Sequence, residues 1–385
     1  MRKQCFFACL IIAILFTNTD GTTANRKELR LSFTGDIIPH TPLFTSAKNN
    51  NKLNPKTKIT QNNNGFDFLF DRIRSRLSNS DLTLANMEFP VVPPYISKEF
   101  VFNCHPSIIP AMKKAGISAV TIANNHIMDQ GIDGVVTTIE QLKTNGIKYI
   151  GAGLSEDEAD AGLVYSAKNI SVGLLAATGI SNKLIPKDKQ VFVNWFYNEE
   201  KMLKQIAAIK KKSDYIILVV HTGVEYKCMP EERDRRLMKT YLNAGVDLVI
   251  GHHAHLVQVV ETYTTLDGRE TCIFYGLGNF ISNQTTPFYF PQVQKFVSTQ
   301  NGIIVTVNLT RTRENMKRIL KAQFDIIPVK TINLRTPERI IQTAEFEKGE
   351  ETPPVYLLDE INIGYGRAET LIKVLNKKIV TKKFF

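Results

Sequence analysis

Short apolar runs along this chain stop repeatedly at clusters of polar residues. In the first run Leu29, Leu31 and Phe33 alternate with polar residues, which is the two-residue period of a half-buried β-strand. Five further runs have similar strand character. The six predicted strands are, in order, 29–34, 82–85, 119–123, 215–220, 248–250 and 272–275.

Helical patterns lie between the predicted strands. Gly116 and Gly146 follow two of them, at the position where a left-handed residue commonly ends a helix. The predicted helices are 66–77, 107–115, 133–145, 200–212 and 231–244, with one more short strand at 149–151. Strands that alternate with helices in this way predict an α/β fold.

Two stretches depart from this alternation. The polar, asparagine-rich stretch 46–65 is predicted to be a loop. Beyond residue 289 the patterns weaken, and they predict strands at 302–309 and 322–329 followed by surface helices at 337–346 and 367–379. Because this tail contains no histidine and few other candidate ligands, we expect it to serve packing or docking.

The first 24 residues have the pattern of a secretory signal. Arg2 and Lys3 precede an apolar stretch at 5–16, and small residues follow at 22–24. An apolar stretch of this length is shorter than the roughly 20 residues of a membrane-spanning helix, although an uncleaved anchor is the alternative. Both interpretations predict an extracytoplasmic protein that is secreted, periplasmic or membrane-associated. The predicted domains are a signal peptide at 1–24, one domain at 25–330 with its motifs in 29–285, and a C-terminal helical appendage at 331–385.

Composition and net charge indicate which kinds of partner the protein binds. Of 385 residues, 43% are hydrophobic and 22% charged, which is ordinary for a globular protein. The formal charge of +11 favours an anionic polymer, a phosphorylated substrate or an acidic membrane surface, although a solvated lysine-rich surface explains it equally well. No basic run is long enough for a nucleic-acid arm, so nucleic acid is not expected as a partner. Cys104, Cys228 and Cys272 lack zinc-finger spacing and allow at most one disulfide.

The polar clusters at the strand ends contain side chains that bind metal. The chain has seven histidines, and five of them lie in these clusters. In sheets crossed over by helices, the strand ends converge at one edge, where ligands bind. The candidate metal ligands are Asp36, Glu88, Asn125, His221, His253 and His255.

This mixture of carboxylate, imidazole and amide donors suits Zn²⁺, Mn²⁺ or Fe²⁺ better than Ca²⁺ or Mg²⁺. Six ligands are enough for one or two ions, and two ions about 3.5–4 Å apart can clamp a phosphoryl or acyl oxygen during attack. His126 is the candidate acid for the leaving group, and Asp129 the candidate residue to orient its imidazole. The residues expected in the wall of the site are Asn124, Glu225, Tyr226, His252 and Asn279.

Taken singly, several of these residues also fit a purely structural role. Asp36 fits a turn or N-cap, Asn124 and Asn125 fit a cap pair, and His221 fits a packed histidine. His40 is expected either near the metals or facing solvent. Only the convergence of all the clusters favours a site.

Several motifs occur in an order that resembles a known family. They are 33–37 (Phe-Thr-Gly-Asp-Ile), 86–90 (Asn-Met-Glu-Phe-Pro), 123–126 (Ala-Asn-Asn-His) with Asp129 and Gly131, 151–153 (Gly-Ala-Gly), 221–226 (His-Thr-Gly-Val-Glu-Tyr), 251–255 (Gly-His-His-Ala-His) with Gln258, and 275–280 (Tyr-Gly-Leu-Gly-Asn-Phe). By these motifs the chain resembles the bacterial capsule-synthesis proteins called CapA, which are associated with poly-γ-glutamate production and look like a divergent branch of the calcineurin-like metallophosphoesterases.

The resemblance implies a metallophosphoesterase-like two-sheet sandwich flanked by helices, in the layer order α/β/β/α. It assigns metal-ligand roles to the six residues above and the acid role to His126. One departure is that Ile38 stands where those phosphoesterases have a histidine. One metal site is therefore expected to be weak, vacant or rebuilt with His252 or His40.

Two functions from different classes follow. The first is a metal-dependent hydrolase of capsule or poly-γ-glutamate biosynthesis, acting on a phosphoester or an amide-linked polymer and associating with a membrane-bound polymer synthase. The second is a non-catalytic accessory protein that binds an anionic polymer for export or membrane attachment. A secreted phosphate-scavenging phosphatase is a third.

Overall fold

The computed structural model describes residues 28–185, 190–292, 294–314, 317–336, 339–347, 350, 355, 358 and 380–383. The predicted signal peptide at 1–24 and the predicted helix at 367–379 lie outside the described residues. No helix in the described ranges is both long and apolar enough to cross a membrane.

The strands are β1 (Leu29–Ile37), β2 (Leu82–Met87), β3 (Ala119–Thr121), β4 (Lys148–Ile150), β5 (Ala152–Gly153), β6 (Leu163–Ala167), β7 (Ile170–Thr178), β8 (Phe192–Val193), β9 (Tyr215–His221), β10 (Leu248–His252), β11 (Val260–Thr264), β12 (Glu270–Phe274), β13 (Asn279–Ile281), β14 (Pro287–Phe290), β15 (Lys295–Ser298), β16 (Asn301–Glu314), β17 (Lys317–Leu334), β18 (Ile340–Glu345) and β19 (Val380–Lys383). The helices are α1 (Thr41–Asn49), α2 (Arg74–Leu77), α3 (Ile108–Ala115), α4 (Gly131–Asn145), α5 (Glu156–Asp160), α6 (Glu199–Lys210) and α7 (Glu232–Ala244), with a 3₁₀ helix at Asn63–Phe70.

Most strands belong to two sheets. The nine-stranded sheet has the order β18-β17-β16-β1-β2-β3-β4, with β13 also paired to β1 and β19 to β17. The six-stranded sheet has the order β11-β12-β10-β9-β7-β6. Two small pairs, β5 with β8 and β14 with β15, complete the described strands.

The two sheets pack face to face and helices cover their outer sides. Phe33 of the first sheet and Ile217 of the second belong to one buried cluster between the sheets. On the outside of the first sheet, Ile139 of α4 belongs to a second buried cluster, and on the outside of the second sheet Tyr241 of α7 belongs to a third. The layer order is therefore α/β/β/α, and the predicted fold class is confirmed.

Parallel pairing brings the strand ends to one edge. In register, Asp36 of β1 lies opposite Asn86 of β2 and opposite Asn279 of β13. In the second sheet, His252 of β10 lies opposite His221 of β9. Because both sheets end their parallel strands at the same side, the polar clusters that follow these strands meet there.

Most predicted elements are confirmed, including the six strands and four of the five helices. Gly116 and Gly146 end α3 and α4 with φ of 106° and 64°. The strand β7, which lies between β9 and the edge strand β6 of the second sheet, was not predicted. Cys104, Cys228 and Cys272 are all buried, and no disulfide joins any two of them, so the allowed disulfide does not form.

Three predictions about local structure were wrong. The helix predicted at 66–77 is instead the end of the 3₁₀ helix, a turn at 71–73 and the short α2. The loop predicted from residue 46 begins inside α1. The surface helix predicted at 337–346 is the strand β18, which is paired to β17, so this part of the proposed helical appendage extends the sheet.

Candidate functional site

Five of the six predicted metal ligands lie at the common sheet edge with their donor atoms close together. Asp36 lies near the end of β1, Glu88 directly follows β2, and His221 is the last residue of β9. His253 and His255 follow β10. All five are buried, which shields them from solvent and fixes their side chains.

The first group of donors contains Glu88, His221 and His253, whose candidate ligand atoms lie within 4.8 Å of one another. The Nε2 atom of His221 lies 3.6 Å from Oε1 of Glu88 and 3.1 Å from Nδ1 of His253. The same Nε2 lies 2.8 Å from Oδ1 of Asn125, the sixth predicted ligand. Four predicted ligands therefore converge on one point.

The second group contains Asp36, Glu88 and His255, within the same 4.8 Å limit. The Nδ1 atom of His255 lies 3.2 Å from Oδ2 of Asp36, and its Nε2 lies 3.9 Å from Oε1 of Glu88. Glu88 therefore belongs to both groups. A third group joins Glu225 to His253 and His255, although the Glu225 side chain is 40% exposed.

These donors fit a divalent metal. Two donors that each lie about 2.1 Å from one ion are roughly 3.0–3.4 Å apart at ordinary coordination angles. The separations of 2.8, 3.1 and 3.6 Å around Nε2 of His221 lie close to that range. In addition, Oε1 of Glu88 and Oδ2 of Asp36 are buried and accept no hydrogen bond, which is the state of an atom positioned to bind a cation.

The buried charges shift several pKa values. Burial, and then the charges of Asp36 and Glu225, raise the pKa of Glu88 well above its usual value. Burial also opposes ionisation of Asp36, but the hydrogen bond from His252 and the charges of His252 and His255 outweigh it and hold the pKa of Asp36 well below its usual value. Two adjacent buried carboxylates with opposite shifts form a site that a cation would stabilise.

The imidazoles that face the first group favour the neutral form that binds metals. Burial, followed by the charge of His253, holds the pKa of His221 well below its usual value. Burial and the charge of His255 lower the pKa of His253 to about 4. Neutral imidazoles have a free lone pair for a metal across the neutral pH range.

The backbone is strained at this edge. Tyr226, His253 and His255 have φ of 62°, 91° and 55°, a region that residues with a Cβ adopt rarely. Such conformations persist where the surrounding structure holds a functional side chain in place. The strain at His253 and His255 turns both imidazoles toward the carboxylates.

The predicted acid pair is also present. The Nδ1 atom of His126 lies 2.6 Å from Oδ2 of Asp129, and the Phe102 ring packs on the imidazole with centroids 4.1 Å apart. With Nδ1 donating to the carboxylate, Nε2 of His126 carries the lone pair. Asn182 donates to the imidazole at 3.5 Å and accepts from Nδ2 of Asn125, so the pair adjoins the first metal group.

The residues predicted for the wall surround the donors. His252 donates from Nδ1 to Oδ1 of Asp36 at 2.8 Å, and Asn279 contacts Nδ1 of His255 through Oδ1 at 3.1 Å. Asn124 donates to the carbonyl of Met87 at 2.9 Å and holds the chain just before Glu88. The remaining two wall residues are Glu225, in the third donor group, and Tyr226, 5.8 Å from His255 between ring centroids.

His252 and His40, the two residues expected to rebuild a weak metal site, belong to no donor group among the described residues. Ile38 is buried in the core beneath the first sheet. His252 contacts only the Asp36 carboxylate of the ligand set. His40 is half-buried rather than facing solvent, with its Nδ1 accepting from the backbone N–H of Asn283 at 3.1 Å.

Sequence reasoning gave no role to three residues at this site. Asn86 donates from Nδ2 to Oδ1 of Asp36 at 2.8 Å and contacts Nδ1 of His221 at 3.2 Å, so it joins the two sheets. Its position in a strand end with Glu88 was a usable signal. Asn182 and Phe102 come from loops, where no periodic pattern marks them.

Comparison with known proteins gives one family. A family model described as bacterial capsule synthesis protein PGA_cap matches residues 30–284. The chain is 28% identical over 242 residues to the PGA biosynthesis protein CapA of Bacillus subtilis, covering 59% of this chain and 60% of that protein. It is 29% identical over 270 residues to the capsule biosynthesis protein CapA of Bacillus anthracis, covering 67% and 61%.

A more distant relative is a probable polyglutamine synthesis accessory protein of Mycobacterium tuberculosis, 26% identical over 198 residues, with 48% of this chain and 50% of that protein covered. A solved structure of a putative 5′-nucleotidase from Staphylococcus aureus aligns over 91% of this chain and 58% of that chain, with 11% identity and a TM-score of 0.43. The chain thus spans about 60% of the length of the two Bacillus relatives.

Proposed function

The chain belongs to the PGA_cap family of bacterial capsule synthesis proteins, and we propose that it is a metal-dependent hydrolase of capsule or poly-γ-glutamate biosynthesis. The single observation that carries this proposal is the position of Glu88. Its carboxylate belongs to the group with Asp36 and His255 and also to the group with His221 and His253. One carboxylate shared by two donor groups is the arrangement that two neighbouring ions require.

The residues that would hold the ions are Asp36, Glu88 and His255 on one side, and Glu88, Asn125, His221 and His253 on the other. Bound divalent ions supply Lewis acidity toward a phosphoryl or acyl oxygen and lower the pKa of water. The donor set suits Mn²⁺, Zn²⁺ and Fe²⁺ alike.

The chain's own acid is His126. Asp129 accepts a hydrogen bond from Nδ1 at 2.6 Å, which fixes the orientation of the imidazole and leaves Nε2 for the substrate. Phe102 covers one face of the imidazole and excludes water from it. His126 would thereby hold a proton at Nε2 and donate it to the leaving group as the scissile bond breaks, after which solvent water would restore the proton at Nε2.

A phosphoester or an amide-linked anionic polymer is the substrate class that we propose. The relatives' names refer to capsule, PGA and polyglutamine synthesis. The net charge of +11 favours approach of a polyanion. We further propose that the protein acts outside the cytoplasm, beside a membrane-bound polymer synthase, on the basis of the signal-like segment at 1–24. Amino-terminal sequencing of protein recovered from the cell exterior checks that location.

The hydrolase proposal is tested with His126→Ala. Protein loaded with Mn²⁺ or Zn²⁺ should hydrolyse a general phosphodiester or a γ-linked glutamate oligomer, and the variant should lose roughly 10²–10⁴-fold in turnover while it keeps its metal. His105→Ala is the matched control, because His105 stacks on Phe66 and belongs to no donor group. Equal turnover in the wild-type protein and His126→Ala would contradict the acid role.

One observation favours the second candidate, a non-catalytic accessory protein that binds an anionic polymer. Ile38 stands where the resemblance leads us to expect a histidine ligand, and the group with Asp36 has three donor residues, whereas the group with His221 also has Asn125. For an accessory protein, polymer binding would persist in His126→Ala and no metal-dependent turnover would occur in the wild-type protein.

A further inference from the structure

A cluster of polar side chains lies beside the metal-binding residues but outside them. It contains Arg339, in the turn between β17 and β18, together with Asn283 and Asn333. The Nη2 atom of Arg339 donates to Oδ1 of Asn283 at 2.5 Å. Asn333 donates from Nδ2 to the backbone carbonyl and to Oδ1 of Asn283, each at 3.2 Å.

The guanidinium in this cluster has unmet bonding capacity. Nε of Arg339 is buried and has no acceptor, and no carboxylate among the described residues lies within ion-pair distance of it. Its contact with Asn283 is to a neutral amide oxygen. A half-buried cation with only a neutral partner is unfavourable unless an anion joins it, and the planar guanidinium is suited to a carboxylate or a phosphate.

The cluster connects directly to the acid side of the metal site. The backbone N–H of Asn283 donates to Nδ1 of His40 at 3.1 Å. The His40 ring lies edge-on to Phe102, with centroids 5.5 Å apart, and Phe102 in turn packs on His126. Asn283, His40 and Phe102 therefore form a continuous series of contacts between the Arg339 cluster and His126.

We propose that Arg339, held by Asn283 and Asn333, forms an oxyanion subsite for a charged group of the substrate that lies beyond the bond at the metals. This rests on the proposed function, which it deepens: the substrate carries a carboxylate or a phosphate in addition to the reacting group. A polymer of acidic units has such a group in every unit. Arg339 comes from the segment for which the sequence indicated only packing or docking, after the end of the family match at residue 284.

The experiment is a binding titration on the full, metal-loaded chain with three probes: tri-γ-glutamate, its α-carboxamide analogue, and glycerol phosphate. Arg339→Gln should weaken tri-γ-glutamate binding by roughly 10- to 100-fold, the effect of losing one hydrogen bond between charged groups. Arg335→Gln is the matched control, because Arg335 is exposed in the same turn and the same charge is removed. It should bind within about twofold of the wild-type protein.

The other probes and variants make the result specific. The α-carboxamide analogue, which lacks the α-carboxylates, should bind wild-type protein and Arg339→Gln equally, and Arg339→Lys should recover part of the lost affinity. A loss confined to glycerol phosphate would identify phosphate as the oxyanion. Equal binding of every probe to wild-type protein and Arg339→Gln, or no binding of any probe to the wild-type protein, would overturn the subsite.

Binding and turnover separate this inference from the proposed function. Binding that depends on Arg339, without metal-dependent hydrolysis, would contradict the proposed hydrolase and support the subsite. Hydrolysis that depends on His126, with no effect of Arg339 on binding or turnover, would support the hydrolase and contradict the subsite.

Discussion

Glu88→Gln is expected to change stability in opposite directions with and without metal. The Glu88 carboxylate is fully buried, its Oε1 accepts no hydrogen bond, and burial beside Asp36 raises its pKa well above the usual value. Without metal this group opposes folding. With metal it is the ligand that both donor groups share.

The magnitudes follow from these two roles. An ionised carboxylate that is buried without a partner opposes folding more than a neutral amide of the same shape, so Glu88→Gln should raise the free energy of unfolding of metal-free protein by about 1–3 kcal/mol. Each ion present at about 100 times its Kd stabilises the folded protein by about 2.7 kcal/mol, which gives roughly 5 kcal/mol for two ions. Because Glu88→Gln weakens both groups, less than half of that stabilisation should remain.

Urea unfolding at pH 8 measures both effects, once with a chelator and once with excess Mn²⁺. The free energy of unfolding should be higher for the variant in chelator and higher for the wild-type protein with Mn²⁺. Glu231→Gln, at a half-exposed surface ion pair with Lys227, should stay within about 0.5 kcal/mol of wild type in both conditions. An equal stabilisation by Mn²⁺ in wild-type protein and Glu88→Gln would refute the assignment of Glu88 as the shared ligand.

Two further predictions concern the framework of the site. Burial opposes ionisation of Glu261, but hydrogen bonds from Arg235 and Lys239 outweigh it and lower the pKa of Glu261 to about 2. A carboxylate with a lowered pKa stabilises the protein above the unfolded value of about 4.3, and this contribution is lost as the pH falls through 2. Glu261→Gln should therefore lower the free energy of unfolding by about 2 kcal/mol at pH 7 and by roughly half of that at pH 3, measured by urea unfolding. Gly35→Ala places a Cβ 2.0 Å from the carbonyl oxygen of Gly278, so it should lower the free energy of unfolding by about 1–3 kcal/mol or more. It should also reduce metal content, because it displaces β1 from β13. Unchanged metal content would contradict this.

The convergence of the ligands could be predicted from the sequence because it depends on strand ends. Buried parallel strands are nearly continuous apolar runs, and each run ends where its polar cluster begins. The register then sets Asp36 opposite Asn86, and His221 opposite His252. The positions of the polar clusters therefore follow from the sequence alone.

Loop residues and strand partners could not be found in that way. Asn182 and Phe102 reach His126 from irregular segments, whose course depends on tertiary contacts rather than on a period. The spacing of the apolar residues at 337–346 fits both a helix and a strand, and the hydrogen bonds to β17 stabilise the strand. The turn before that strand carries Arg339, which no motif marked.

The most direct test of the central claim is the number and position of bound ions. Anomalous diffraction from crystals grown with Mn²⁺ should show two peaks, about 3.5–4 Å apart, with the Glu88 carboxylate between them. One peak should contact His221 and His253, and the other Asp36 and His255. A single peak that does not contact Glu88, or no peak at this sheet edge at saturating Mn²⁺, would contradict the account.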